Sequence, residues 1–384
     1  MRARDHGITI GGGTPGPFNA ITDVNGVRVG HCTLIEGSGP LVVGRGPVRT
    51  GVTVVIPPGR VWEQPVFAGA HRLNGNGEMT GLEWVRESGM LTTPVGLTNT
   101  HSVGVVRDAM LAEMLATDPG RGSEWSLPVV AETWDGLLND LNGFHVHPEH
   151  VHDAFVAAHG ETVQEGAVGS GTGMICHGFK GGIGTASRVL PEAEGGYTVG
   201  VLVQANHGRR ERFAVNGVPV GRALDDIPLP GRSGSGAGGP GAAGSGAGGA
   251  AGVGGAGSII VIVATDAPLL PHQCDRLAQR AGLGVARVGG VGEHTSGDLF
   301  LCFATGNLGM TAGGIDERAP LTFPLTMLSD VHITPLFDAV VEATEEAIVN
   351  AVLGATTSEG RDGIVAHALP GERLAQALDD AGRR

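Results

Sequence analysis

The sequence predicts an α/β fold in which strands and helices pack as layers. Three observations lead there. The runs Gly51-Val-Thr-Val-Val-Ile56 and Ser258-Ile-Ile-Val-Ile-Val-Ala-Thr265 have almost no polar positions and read as strands covered on both faces. Between such runs, apolar residues recur at helical spacing, as Val105, Val106, Ala109, Met110 and Met114 do within residues 103–116. Glycine fills 68 of 384 positions, more than twice its usual share, which suits tight turns and close contact between layers. The length suffices for a large core, and no internal repeat of solenoid period is present.

Taken in order, residues 26–34 alternate apolar and polar side chains, as a half-buried strand does, and 51–56 form a second strand closed by Pro57-Pro58-Gly59. Leu73-Asn-Gly-Asn-Gly-Glu-Met-Thr-Gly81 is a run of turn formers leading into a short helix over 82–87. Residues 94–100 read as a strand, 103–116 as an amphipathic helix and 149–159 as a helix. Residues 181–190 and 196–206 read as a hairpin. After Ser258–Thr265 come a helix over 271–282, a strand over 298–305, a long helix over 335–353 with one broad apolar stripe, and a last helix around 372–378.

Two strand ends hold polar residues of the kind a binding site needs. The strand beginning at Leu127 runs directly into Glu132, Trp134 and Asp135, although Asp135-Gly136 also suits an ordinary turn. The strand ending Val203-Gln-Ala-Asn206 offers an amide as a fixed dipole, although Asn206 before His207-Gly208 also suits a turn. Gly169-Ser-Gly-Thr-Gly173 lacks the lysine ending of a phosphate loop and the Rossmann spacing. The histidines at 145, 147, 150 and 152 match no zinc spacing, and a solvated helix start is the preferred reading, so no metal is expected.

Composition excludes several classes. A formal net charge of −14 with no Lys/Arg-rich run argues against nucleic-acid binding and against an anionic membrane surface. The N-terminal residues lack the apolar core of a signal peptide, and no segment reaches transmembrane length, so the cytoplasm is the expected compartment. Cys32, Cys176, Cys274 and Cys302 show no CxxC pairing and read as buried or incidental thiols.

Residues 231–257 are almost wholly Gly, Ala and Ser, a composition that gains nothing to offset ordering entropy. This flexible tract reads either as a linker or as a segment whose end is a processing site. At its end, Gly257 meets Ser258. A serine at a chain terminus carries two useful groups: its hydroxyl is a nucleophile, and its α-amine, titrating at about 7.7–8.0, can take the hydroxyl proton. That amine exists only once the Gly257–Ser258 bond is cut, which the same hydroxyl can do by attacking the Gly257 carbonyl. Composition alone leaves the plainer reading, that Ser258 merely starts a strand.

The segments Asp23-Val-Asn-Gly-Val-Arg-Val-Gly30, Gly75-Asn-Gly-Glu-Met-Thr-Gly81, Ala131-Glu-Thr-Trp-Asp-Gly136, Gly169-Ser-Gly-Thr-Gly-Met174, Val201-Leu-Val-Gln-Ala-Asn206, Gly257-Ser258-Ile-Ile-Val-Ile-Val-Ala-Thr-Asp-Ala-Pro-Leu-Leu-Pro-His272 and Ser296-Gly-Asp298-Leu-Phe-Leu301 stand in one order along nearly the whole chain. In them the sequence resembles the DmpA-type L-aminopeptidase/D-esterase family, which includes the β-aminopeptidyl peptidases. The resemblance implies a four-layer α/β/β/α sandwich of the DmpA/ArgJ-like type, with residues 1–384 forming a single catalytic domain. It implies a precursor that cleaves itself into chains 1–257 and 258–384, assembled as a homo-oligomer of cleaved heterodimers. Ser258 would be the nucleophile, Asn206 an oxyanion donor, and Ser296 and Asp298 would orient the Ser258 hydroxyl or amine. Glu132 would receive the substrate ammonium, with Trp134 beside it. Substrates would be small peptides, amides or esters, with no cofactor. Two other readings stand beside this one: an acyltransferase of the ornithine acetyltransferase type, whose nucleophile is threonine, and an uncleaved non-enzymatic relative.

Overall fold

The computed structural model describes residues 1–117, 125–232, 257–311 and 320–383. The Gly/Ala/Ser tract therefore lies outside the described residues, except for its ends at Gly231, Arg232 and Gly257. In chain order the strands are β1 (Arg28–Glu36), β2 (Val48–Ile56), β3 (Val66–Gly75), β4 (Met90–Leu91), β5 (Val95–Asn99), β6 (Val129–Thr133), β7 (Ile175–Cys176), β8 (Phe179–Lys180), β9 (Gly182–Val189), β10 (Thr198–Asn206), β11 (Gly231–Arg232), β12 (Ser258–Thr265), β13 (Gly297–Ala304), β14 (Ser358–Glu359) and β15 (Ile364–Ala366). The helices are α1 (Leu82–Ser88), α2 (Val103–Thr117), α3 (Pro148–Val156), α4 (Val220–Ala223), α5 (Pro271–Arg287), α6 (Thr334–Leu353) and α7 (Gly371–Asp380).

Two sheets dominate. One has the order β1-β2-β5-β6 and the other β4-β3-β13-β12-β10-β9. The six-stranded sheet is antiparallel except where β12 runs parallel to β13. Side chains alternate across β12. Ile260, Ile262 and Ala264 pack between the two sheets with Leu97, Ala131, Ile183, Leu202 and Leu301. Ile259, Val261 and Val263 face the other way, into a core shared with Leu277, Ala281, Val340 and Ile348 of α5 and α6. Helices α2 and α3 cover the outer face of the smaller sheet through Val106, Met110, Val151 and Ala154 against Val52, Val54 and Val130. The result is the four-layer α/β/β/α sandwich. It explains why the β2 and β12 runs have no polar face: each is covered twice.

The predicted elements all form, with shifted ends, and two differences have physical causes. Residues 73–81 read as turn formers, yet Leu73, Asn74 and Gly75 end a ten-residue strand, β3, inside the larger sheet between β4 and β13. Its sequence, Val-Phe-Ala-Gly-Ala-His-Arg-Leu-Asn-Gly, has weak strand character, and pairing with β13 imposes the conformation. Helix α5 runs through Gly282 and Gly284 to Arg287 rather than stopping at 282. Gly284 lies against Val341 and Thr344 of α6, where a Cβ would meet the Thr344 Cβ at 2.5 Å. Gly282, where the sequence reading ends the helix, lies inside it, and Gly284 is the contact point between α5 and α6.

Helix α6 is buried almost all round, and its two central acids are neutralised from different sides. Glu346 accepts from Arg4 at 2.8 Å, Arg188 at 2.8 Å and Asn19 at 2.6 Å, which ties the N-terminal segment to the helix. Glu345 meets Arg287 at 3.4 Å. The same helix approaches β9 so closely that a Cβ on Gly184 would collide with the Ala347 carbonyl. Gly184→Ala should force α6 off the sheet, since backbone on both sides cannot yield. A loss of about 2 kcal/mol and a fall of about 2–3 °C in Tm are expected. A variant melting with the parent protein would contradict this packing.

Candidate active site

Ser258 is the first residue of β12, and strand register fixes its neighbours. Across the antiparallel ladder it lies opposite Asn206, the last residue of β10. On the parallel side, Ile259 lies opposite Asp298 near the start of β13. Three strand ends therefore meet at one edge of the larger sheet. Alternation along β12 puts Ser258 on the inter-sheet face with Ile260 and Ile262. The same alternation along β10 gives that face to Leu202, Gln204 and Asn206. Gln204 binds the sheets together just behind the site, donating to the Thr98 carbonyl at 3.0 Å and to Thr133 Oγ1 at 2.7 Å.

Ser258 is 5% exposed, and its Oγ accepts the Gly297 N–H at 2.9 Å. The Asn206 amide is held at both ends by main chain. Its Oδ1 accepts the Ile175 N–H at 2.8 Å, and its Nδ2 donates to the Trp134 carbonyl at 2.8 Å. Both partners have fixed polarity, so the amide cannot be reversed without losing both bonds. One Nδ2 hydrogen remains for another acceptor. Gly257 crosses this amide residue's backbone: a Cβ there would collide with the Asn206 carbonyl oxygen, so only glycine can precede Ser258 in this geometry.

Ser296 and Asp298 also reach the site, where their side chains bond to each other rather than to Ser258 Oγ. Ser296 Oγ donates to Asp298 Oδ1 at 2.6 Å, and the Ile259 N–H donates to the same oxygen at 3.2 Å. The side chains pair with each other, while the Gly297 N–H between them holds Ser258 Oγ. A shift in the β3–β13 register between Asp298 and Leu299 accompanies this arrangement. Burial pushes the Asp298 carboxyl up to about 6, against the bonds from Ser296 and Ile259 that favour its ionised form.

Glu132 comes to the same place from the smaller sheet. The turn residues at 76–78 connect them. A Cβ on Gly77 would lie 3.0 Å from Gly297 Cα and 3.2 Å from Glu132 Oε1, so the glycine allows the carboxylate and the β13 backbone to flank one thin stretch of chain. Glu132 accepts the Glu78 N–H at 3.0 Å and the Thr100 hydroxyl. Burial raises its pKa, opposed by those two bonds. Trp134 touches the site through its carbonyl on Asn206, and its half-buried indole packs with Leu137, Leu138 and Ile364. Asp135 is fully buried, pushed up to about 7 by desolvation, and held by Asn139 at 3.1 Å; its own carbonyl accepts the Leu138 and Asn139 N–H groups in a turn.

Gly297 N–H, Thr100 and the Glu78 N–H are absent from the sequence reading. Backbone donors leave no residue-type signal, and a threonine beyond a strand end looks like any other. Among the described residues one group has metal-ligand spacing: Cys176, His177 and His207, with ligand atoms within 4.8 Å of one another. Burial holds both rings neutral, His177 at about 4 and His207 well below its ordinary value. The group contains no carboxylate, and the Arg210 guanidinium binds the His177 carbonyl at 3.0 Å, so a divalent cation would face an existing positive charge. The four histidines of residues 145–152 do not converge on one point: His145 pairs with Asp140 at 2.9 Å, His152 with Glu113 at 3.0 Å, and His147 and His150 lie against each other at the start of α3, with the His147 N–H donating to His150 Nδ1 at 3.0 Å.

Comparison with known proteins agrees with this geometry. Residues 19–366 match the model of peptidase family S58. The chain is 48% identical, over 98% of its length and 91% of the relative's, to the β-peptidyl aminopeptidase BapA of Sphingosinicella microcystinivorans. It is 42% identical to the protein of the same name from Sphingosinicella xenopeptidilytica, over 98% of this chain and 90% of that one. A Burkholderia sp. β-aminopeptidase superposes with a TM-score of 0.89 at 53% identity, covering 100% of both chains. The L-aminopeptidase D-Ala-esterase/amidase of Ochrobactrum anthropi, described as a prototype of the serine aminopeptidases and a variant of the Ntn hydrolase fold, superposes at 0.85 with 40% identity, over 100% of this chain and 99% of that one. The chain thus belongs to peptidase family S58, the DmpA-type aminopeptidases, and has their Ntn hydrolase fold.

Proposed function

We propose that this protein is a self-processing serine aminopeptidase that releases N-terminal residues from short peptides, amides or esters through an acyl-enzyme on Ser258. The observation that carries the reading is the pairing of Ser258 with Asn206, across a Gly257 that admits no side chain. In the precursor, Ser258 Oγ attacks the Gly257 carbonyl carbon, and the amide nitrogen of Ser258 leaves as an amine when the ester forms. Water then hydrolyses the ester, freeing residues 1–257 with a carboxylate on Gly257 and restoring the Ser258 hydroxyl beside its new α-amine. In turnover that amine takes the hydroxyl proton as Oγ attacks the substrate carbonyl, and returns it to the leaving group. The free Nδ2 hydrogen of Asn206 receives the developing oxyanion, where a pre-aimed donor gains most. Asp298, accepting from Ile259 one residue beyond the new terminus, supports that amine electrostatically.

Glu132 is the acceptor for the substrate's ammonium group. Its buried carboxylate already binds two donors, and a cation restores the charge balance that burial opposes. The proposed working form is a homo-oligomer of cleaved heterodimers in the cytoplasm. Among the described residues no helix is long and apolar enough to cross a membrane.

On a denaturing gel, wild-type protein should run as two fragments divided at Gly257/Ser258, and Ser258→Ala as one chain. An intact, inactive wild type would overturn the proposal. With aminoacyl p-nitroanilides, Glu132→Gln should lower kcat/KM for free-amine substrates by about 10- to 100-fold, the value of a hydrogen bond to a charged group. Self-cleavage, which presents no ammonium, should change far less; equal loss of both would remove Glu132 from this role. Adding an acceptor amine to the same assay separates hydrolysis from acyl transfer.

Self-cleavage also has a predictable pH dependence, because the precursor lacks the Ser258 α-amine. Asp298 is raised to about 6, so it is ionised above that pH and protonated below it. The rate of fragment appearance from freshly made precursor should fall about tenfold per pH unit below that value. Asp298→Asn should be slow at every pH and lose this dependence. An acid limb that persists in the variant would assign it to another group.

A further inference from the structure

Of the 25 cationic Lys and Arg residues in the chain, 24 are arginine and one is lysine. The single lysine, Lys180 in β8, is fully buried. Its Nζ donates to the carbonyls of Met174 at 2.7 Å, Gly181 at 2.8 Å and Gly171 at 3.1 Å. Among the described residues it forms no ion pair with a carboxylate. A buried ammonium with no carboxylate in direct contact is costly, even with Asp135 acting on it from a distance, and most globular proteins keep lysine at the surface. Three converging carbonyls suit a compact ammonium with three donors, whereas the flat fork of arginine could not serve them together. They also require the charged form, since a neutral amine has only two N–H groups. This opposes burial, which draws Lys180 down to about 7 against the pull of Cys176 and Asp135.

The strongest of the three bonds leads to the active site. The Met174 carbonyl accepts from both Lys180 Nζ and the Gly181 N–H, the latter at 2.9 Å. The other end of the same peptide group is the Ile175 N–H, which donates to Asn206 Oδ1 at 2.8 Å. A cation on the carbonyl end of a peptide makes its N–H a stronger donor, because hydrogen bonds in series polarise one another. That N–H decides which way the Asn206 amide faces. We propose that Lys180 is a positioning residue for the oxyanion site, acting through the Met174–Ile175 peptide to hold the Asn206 amide with Nδ2 toward the reacting carbonyl and to strengthen it as a donor. Lys180 itself touches neither substrate nor Ser258.

The inference rests on the aminopeptidase reading, and the test separates the two. In cleaved enzyme, normalised to the amount of the Ser258-terminated fragment, Lys180→Met should lower kcat by about 10- to 100-fold while KM stays within about threefold. In an Asn206→Ala background, adding Lys180→Met should cost less than about a further twofold, because the second residue acts through the first. Independent, multiplying losses would show a merely structural lysine and overturn the proposal, as would an unchanged kcat in Lys180→Met. If Asn206→Ala itself leaves kcat unchanged, the oxyanion assignment fails and this inference with it.

If Lys180→Met does not fold, the unaltered enzyme decides. Protein labelled with 15Nζ-lysine has one side-chain ammonium resonance, since Lys180 is the only lysine. Forming a tetrahedral adduct on Ser258 with an aminoalkyl boronic acid should shift that resonance, because the new oxyanion pulls on the hydrogen-bonded series. A resonance unmoved by a saturating adduct would refute the link. A boronic acid that neither inhibits nor binds would refute the serine-nucleophile reading on which the link depends.

Discussion

The site depends first on the register of β10 against β12. Their ladder runs from Val199↔Thr265 to Asn206↔Ser258, and a slip of one residue would turn every side chain to the other face. Slippage is opposed from both sides. Leu202, Ile260 and Ile262 fill the space between the sheets, while Val201, Val203, Ile259 and Val261 fill the space under α5 and α6. The apolar length of each strand therefore sets where its polar end falls. Asn206 and Ser258 lie opposite one another because the seven mostly apolar pairs behind them have one good solution.

At that end the polar groups are held mainly by backbone rather than by one another. Asn206 spans the Ile175 N–H and the Trp134 carbonyl, Ser258 receives the Gly297 N–H, and Glu132 receives the Glu78 N–H. Backbone partners do not rotate, so these donors and acceptors are fixed in direction, as the proposed roles require. Glycine is what lets the chains come close enough. Gly257 lies on the Asn206 carbonyl, and Gly77 and Gly297 pass each other beside Glu132. The high glycine content read as a sign of close-packed layers is spent partly here, at the junction of two sheets.

Much of this was legible in the sequence, for reasons that differ by element. Strands such as β2 and β12 announce themselves because double burial removes every polar position. The amphipathic helix α2 does so because one face remains wet. Strand β3 was hidden, since its Gly, Ala, His and Arg residues have no strand preference of their own and follow β13. At the site, Ser258 stood out by its position after a Gly/Ala/Ser tract, and Asn206 and Glu132 stood out as polar ends of apolar runs. The division of labour around Asp298 was not readable. It turns on the Gly297 N–H, and a backbone group has no letter in a sequence. The sequence does not mark Lys180, because a single lysine among many arginines looks like surface composition until its burial is seen.

The central claim is that Ser258 is both the new terminus and the nucleophile. Mass spectrometry of the purified protein after reaction with an aminoalkyl sulfonyl fluoride, followed by fragmentation, tests it most directly. The account predicts a C-terminal chain whose first residue is Ser258, carrying one adduct on that residue's hydroxyl. An unbroken chain, or a cleaved one modified at a different side chain, would contradict it.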